Sequence, residues 1–289
     1  MTSTTSQTGS TRTPSRPKTP GPVHVLGATG KTGHRVMSRL EQAGVPVAGR
    51  SRRSTPPFDW QDRSTWAAAI EGATALYVTY VPDLAVDGAP EDVAELVSLA
   101  RAAGVEHLVL LSGRGEVNAR RAELVVEESG LEWTVVRASW FMQNFSEGAL
   151  RDGVLAGMVA LPAGHVPEPF VDLDDVADVV VAALTDPALR GRVHEVTGPQ
   201  ALTFTEVAEV IATATGREVG YLAMDPEEFR AVLTAEAGAH YADMLTDLCL
   251  EVFDGRNVRP VDGVQAALGR PARSVAEFAR DAAAAGAWG

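Results

Sequence analysis

Cysteine and lysine are nearly missing from this chain, and each gap closes off chemistry. Cys249 stands alone, so no disulfide can form within the chain and no cysteine-rich zinc site can be assembled. The histidines, His24, His34, His107, His165, His194 and His240, include no pair at H-x-x-x-H spacing, which leaves no candidate metal centre. No run reaches the roughly 18 consecutive apolar residues of a membrane-spanning helix. Lysine occurs at Lys18 and Lys31 and nowhere else, and tyrosine at Tyr77, Tyr80, Tyr221 and Tyr241. A Tyr-x-x-x-Lys pair, in which the lysine lowers the tyrosine pKa so that it can hand a proton to an alkoxide, therefore cannot exist. A G-x-S-x-G elbow is also absent, because Leu110 stands where the first glycine before Ser112 would be, and serine hydrolysis is disfavoured.

What is present is an acidic body of ordinary apolar content. The 289 residues are 45% hydrophobic, enough to bury a core as one large α/β domain or two smaller ones. Residues Met1 to Pro22 form a Ser/Thr/Pro-rich segment whose only charges are Arg12, Arg16 and Lys18. It reads as a disordered tail and, lacking an apolar run, not as a secretory signal. Removing its three positive charges leaves the body at −16, three below the whole chain's −13. Such a body repels a phosphate backbone, so nucleic acid is not an expected partner. One thiol and no export or membrane signal point to the cytoplasm.

Short β-branched runs alternate with segments of helical period. Val23 to Leu26, Thr32 to Ala43 and Val45 to Ala48 read as strand, helix, strand. The alternation continues with a helix near Ser64 to Ile70, a strand Ala75 to Val81, a helix near Glu91 to Ala103, a strand His107 to Leu111, a helix near Ala119 to Ser129 and a strand Trp133 to Val136. This order predicts a Rossmann-like, doubly wound parallel sheet over residues 23–150. Beyond it come a Gly/Pro-rich loop from Gly153 to Pro169, a helix near Asp174 to Leu184, a strand around Val193 to Val196, and helix starts marked by the capping boxes Thr203-x-x-Glu206 and Ser274-x-x-Glu277. Residues 151–289 thus read as a smaller, mostly helical substrate-side lobe packed on the same sheet.

Between the first strand and first helix lie Gly27-Ala28-Thr29-Gly30-Lys31-Thr32-Gly33. Glycines at i, i+3 and i+6 allow a sharp turn, close approach of amides to a pyrophosphate, and tight packing of helix on strand. Gly30-Lys31-Thr32 spells the end of a nucleotide-triphosphate loop, but that motif needs a glycine where this chain has Val25. A dinucleotide is the expected ligand. About 20 residues on, where an acid would hold the ribose of NAD, the chain reads Arg50-Ser51-Arg52-Arg53. Guanidinium forks and a hydroxyl suit a 2′-phosphate, which favours NADP(H).

The glycine loop, Arg50, Phe58-Asp59-Trp60-x-Asp62, Leu110-Leu111-Ser112-Gly113, Ser129-Gly130-Leu131-x-Trp133-Thr134-x-x-Arg137, Trp140-Phe141-x-Gln143-Asn144-Phe145 and Phe170-Val171-Asp172-x-Asp174-Asp175-Val176-Ala177 together resemble the NmrA-like, atypical short-chain dehydrogenase/reductase family. Within it the chain looks most similar to the branch named for agroclavine dehydrogenase of ergot alkaloid biosynthesis. The resemblance implies that Gly27, Thr29, Gly30, Lys31, Thr32 and Gly33 cradle the pyrophosphate, and that Arg50 with Ser51 and Arg52 holds the 2′-phosphate. It places Asp59, Trp60 and Asp62 beside the adenine, and Thr79, Tyr80, Ser112, Gly113 and Ser139 along the ribose and nicotinamide. Trp140, Phe141, Asn144, Phe145 and Phe170 would face the substrate. Asp62 as a helix cap and Trp140, Phe141 and Phe145 as core aromatics are the competing readings. In the Gly153 to Pro169 loop, His165 and Glu168 are candidates for substrate contact, with solvated loop residues the stronger reading.

Without a Tyr-Lys pair, catalysis would rest on holding the reduced nicotinamide against an electrophile ready to accept hydride. The expected reaction is NADPH-dependent reduction of a small cyclic imine or iminium, a quinone or an enone in secondary metabolism. A cationic iminium fits best because it needs no protein acid; for the others, Tyr80, Ser112 or water would supply a proton. Two other classes stay open: a non-catalytic NADP(H) sensor acting through a protein partner, and a non-redox cyclase or isomerase. A monomer and a homodimer are equally compatible with the sequence.

Overall fold

In a computed structural model the described residues are 21–148 and 150–289. Of the expected N-terminal tail, residues 1–20 lie outside them. The first half alternates as expected: β1 (Val23–Leu26), α1 (Gly33–Gln42), β2 (Val47–Arg50), α2 (Trp66–Ile70), β3 (Ala75–Val78), α3 (Ala89–Ala102), β4 (His107–Gly113), α4 (Val117–Glu127) and β5 (Glu132–Ala138). The second half adds α5 (Asn144–Glu147), α6 (Leu150–Ala156), β6 (Met158–Leu161), α7 (Leu173–Thr185), β7 (Arg192–Val196), α8 (Phe204–Thr215), β8 (Gly220–Ala223), α9 (Pro226–Ala237), α10 (Ala239–Val252), α11 (Gly263–Leu268) and α12 (Val275–Ala284).

Six strands pair in parallel in the order β2-β1-β3-β4-β5-β7, the Rossmann-like sheet that the alternation predicts. Buried on both faces, its strands read as apolar runs and distribute their side chains by the two-residue period. Val23 and Val25 meet Val36 and Leu40 of α1 and the apolar face of α7, whereas Leu26 turns to the opposite face, against α2, α3 and α4. A third core, with Phe145, Phe170, Phe204 and Phe278, lies among β6 and the C-terminal helices. Both expected capping boxes form, at Thr203 with Glu206 and at Ser274 with Glu277.

The stretch from Gly153 to Pro169 is not wholly the loop its composition suggests. Its start belongs to α6, and β6 follows and pairs in parallel with β8. Gly157, at φ +84°, supplies the left-handed turn between them.

Candidate active site

The chain leaves β1 toward β2 on one side and returns to β3 on the other, so the carboxyl ends of β1 and β3 flank the switch point where open α/β sheets bind ligands. The β1–β3 register aligns Leu26 with Val78 and brings Gly27 beside Thr79. Gly27 has φ +80°, and a Cβ there would stand 2.7 Å from the Thr79 methyl. A Cβ on Gly33, at the start of α1, would lie 2.2 Å from the Gly27 carbonyl oxygen. Only glycines let the loop close this tightly. Gly27, Thr29, Gly30, Lys31 and Thr32 line a cavity of about 840 Å³, into which the amino end of α1 opens. This backbone cradle fits a dinucleotide pyrophosphate. Gly33 serves the cradle through packing and is not among the lining residues. Lys31 Nζ donates to Asn144 Oδ1 at 2.9 Å, tying the loop to the segment after β5. Burial lowers the ammonium pKa, partly offset by the nearby Glu147 carboxylate.

At the end of β2 the arginines separate. Ser51 and Arg52 line the cavity. Arg50 does not: its Nε donates to the Ala69 carbonyl of α2 at 2.8 Å. The register pairs Arg50 with Leu26, and cross-strand partners share a face, so its side chain follows Leu26 toward α2. The expectation that Arg50 grips the 2′-phosphate is corrected accordingly. Asp59 and Trp60 line the cavity, and the Trp60 indole N–H donates to the Thr79 carbonyl at 3.0 Å. Asp62 instead caps the 3-10 turn Arg63–Thr65, accepting from the Ser64 amide at 3.1 Å, so the competing reading holds for it.

Thr79, Tyr80, Ser112, Gly113 and Ser139 all line the cavity at the carboxyl edge of β3, β4 and β5. The two hydroxyls expected to supply a proton are committed elsewhere. Tyr80 donates to Asp92 Oδ2 at 2.6 Å, and burial with the Asp92 carboxylate raises its pKa, making it a poorer acid. Ser112 is buried and donates to Glu123 Oε1 at 2.7 Å. Burial tends to raise the Glu123 pKa, but hydrogen bonds from Arg137, Ser112 and Arg120 outweigh it and hold the carboxyl below its ordinary range. Ser139 donates to the Pro169 carbonyl at 2.6 Å.

Of the residues expected to face substrate, Trp140, Phe141 and Asn144 line the cavity. Phe145 and Phe170 are fully buried and pack edge-on to one another and against Phe204, which makes them core aromatics. His165 is exposed and away from the cavity. Glu168, two residues past Val166, is the reverse case: instead of a solvated loop residue it is 2% exposed and lines the cavity. The far wall comes from α10, through Tyr241, Met244, Leu245, Leu248, Cys249 and Val252. Their spacing is that of one helix face, a signal in the sequence that does not say what the face covers. Sequence reasoning also missed a carboxyl pair on the wall, Asp83 and Glu116, which interact and are both raised in pKa, first by burial. Glu116 folds over the end of β4, where a Cβ on Gly113 would overlap its carboxyl.

The parallel sheet, the glycine cradle at its switch point and a cavity continuing into an apolar chamber define a dinucleotide-binding oxidoreductase. Residues 27–187 match the NAD(P)H-binding family model. The chain belongs to this NAD(P)H-binding family. It is 32% identical to an NAD(P)H azoreductase of Xenophilus azovorans over 90% of this chain and 98% of the relative. It is 29% identical to the agroclavine dehydrogenase of Claviceps fusiformis over 89% of this chain and 96% of the relative. Among solved structures, an NADPH-dependent quinone oxidoreductase of Escherichia coli in complex with NADPH superposes with a TM-score of 0.76 at 21% identity, covering 90% of this chain and 99% of that one.

Proposed function

We propose that the protein reduces a small conjugated electrophile, a cyclic imine or iminium, a quinone or an enone, with NADPH as its cofactor. The observation that carries this reading is the continuity of one cavity, from the glycine loop past Gly113 and Ser139 to the apolar face of α10. Residues 23–150 supply the cofactor half of that cavity, and 151–289 much of the chamber beyond it. When bound, NADPH supplies a hydride. Lys31 and the loop amides hold its pyrophosphate, and Ser51 and Arg52 bind the 2′-phosphate. Trp140, Phe141 and α10 exclude water and orient an apolar acceptor. Azo and clavine substrates in the names of the two relatives support a reductase acting on conjugated nitrogen compounds.

The test is loss of NADPH absorbance by the purified protein across a panel of cyclic imines, N-alkyl iminium salts, quinones and enones, with NADH in parallel. Turnover with at least one class and preference for NADPH are expected. Tight NADPH binding with no turnover across the panel would replace this reading with that of a cofactor sensor.

A further inference from the structure

Besides Asp83 and Glu116, the chamber wall holds a third acid whose placement the iminium reading does not need. Glu168 stands between Pro167 and Pro169, and its backbone is pinned from both directions: its N–H donates to the Leu202 carbonyl at 2.9 Å, and its carbonyl accepts from the Leu202 N–H at 3.0 Å. One carboxyl oxygen, Oε1, accepts from the Trp140 amide at 3.2 Å. The other, Oε2, is buried without a partner, and so is the indole Nε1 of Trp140. Both residues line the cavity that also holds Ser139 and Gly113. A buried carboxyl oxygen without a donor is costly as an anion. It is satisfied by carrying its own proton, or by a ligand. Burial raises the Glu168 pKa to about 7, the Trp140 amide and Arg114 holding it from going higher. Arg114 is itself occupied by Glu195 at 2.7 Å and by the Asn257 and Arg259 carbonyls. The remaining titratable groups of the chamber wall are Asp83, Glu116, His240, Tyr241 and Cys249, with Lys31, Arg52, Asp59 and Tyr80 toward the cofactor end.

We propose that Glu168 is the proton donor of the reaction, and that the acceptor is a neutral imine, quinone or enone whose heteroatom meets the Glu168 carboxyl in this cavity. The inference rests on the reductase reading and narrows its substrate class. As the acceptor carbon takes the hydride, the π-electron pair moves onto nitrogen or oxygen. The Glu168 Oε2–H bond breaks and an N–H or O–H bond forms, leaving a carboxylate that recovers its proton from solvent. Tyr80 and Ser112, whose hydroxyl protons are held by Asp92 and Glu123, are relieved of that role.

The experiment compares wild type with Glu168→Gln, which keeps shape and removes the acid. On neutral acceptors kcat/KM falls by about 100-fold or more, the size expected for a lost general acid. On an N-alkyl iminium, which takes no proton, it stays within about threefold of wild type, and NADPH affinity is unchanged. A second readout needs no turnover: for the ligand-free proteins, the unfolding midpoint of the variant gains on wild type as pH rises from about 5 to 9, because only wild type must ionise a buried carboxyl at position 168. Equal kcat/KM on neutral acceptors, an equal loss on neutral and cationic ones, or a midpoint difference that does not change with pH would each overturn the assignment. If wild type oxidises NADPH with no acceptor in the panel, the reductase reading itself fails, an outcome distinct from an active enzyme indifferent to the substitution.

Discussion

Arg50 and Arg52 differ in what their side chains can reach, and the cofactor preference turns on that difference. Arg50 ends β2 and is bound to the Ala69 carbonyl, whereas Arg52 lies past the strand and lines the cavity. Replacing Arg52 with Ala is expected to weaken NADPH by about 10- to 100-fold, the worth of a charge-assisted hydrogen bond to a phosphate, and to leave NADH nearly unchanged. Replacing Arg50 with Ala should instead cost about 1 kcal/mol of stability through the lost hydrogen bond, the Ala69 carbonyl keeping its bond from His24 Nδ1 at 2.9 Å, and shift both cofactors alike. Fluorescence titration with each cofactor and denaturant unfolding separate the two outcomes; an equal loss of both cofactors in the Arg52 variant would refute the assignment. The arginine cluster was legible in the sequence, but not which member faces the ribose. The pleat decides that, and it reaches Arg50 because the strand runs two residues further than expected: the alternation pointed to a strand ending at Ala48, and the strand ends at Arg50.

At the level of elements, the segment after β5 is held in place from α7. Gln143 donates from Nε2 to Asp172 Oδ1 at 2.7 Å and accepts from the Leu173 amide at 2.8 Å. Asp172 also caps α7 through the Asp174 amide at 2.9 Å and pairs with Arg273 at 2.8 Å. Gln143 therefore fixes Trp140 and Asn144 on either side of it, and Asn144 in turn anchors Lys31. Replacing Gln143 with Ala leaves the buried Leu173 amide unmet and takes one donor from Asp172, which keeps the Asp174 amide and Arg273, and is expected to cost about 2–3 kcal/mol. NADPH affinity should fall as well, because Lys31 loses its fixed partner; a stable variant with unchanged affinity would show that α7 does not position the site. The motif residues around Gln143 and Asp172 were visible in the sequence, but their work is support, not substrate contact. Likewise, Phe145 and Phe170 carried the right chemistry for a pocket and went to the core, since helical spacing does not reveal which side of a short segment faces a cavity. Strands β6 and β8, four residues each amid glycine and proline, are too short to give a period of their own. The glycine loop was legible because phosphate binding constrains the backbone itself, and glycine is the residue that records such a constraint.

For the whole molecule, buried acids and histidines set opposing slopes of stability against pH. Glu168, Glu116 and Asp83 have folded pKa values raised above their ordinary ones, foremost by burial. Their contribution to stability is full below the ordinary carboxyl pKa and is lost as pH rises through the folded values, about 7 for Glu168. His24 and His107 are lowered by burial, His107 to about 4. Their contribution is full above the ordinary value of 6.5 and is lost as pH falls toward the folded one. Each group contributes a slope of about 1.4 kcal/mol per pH unit within its own window. Between about pH 6 and 8 the histidine slope fades as the unfolded imidazoles lose their protons, while the carboxyl slope continues. A net charge of −13 at pH 7, growing more negative with pH, adds self-repulsion of the same sign. The ligand-free protein is therefore expected to be less stable at about pH 8 than at about pH 6, read as a lower denaturant midpoint at constant m-value. Raising the salt to about 0.5 M should shrink the part due to net charge, leaving the part due to buried carboxyls. A midpoint that is flat or rises from pH 6 to 8 would mean that these carboxyls are ionised in the folded protein at no cost, and that the chamber they line is wetter than its apolar wall implies.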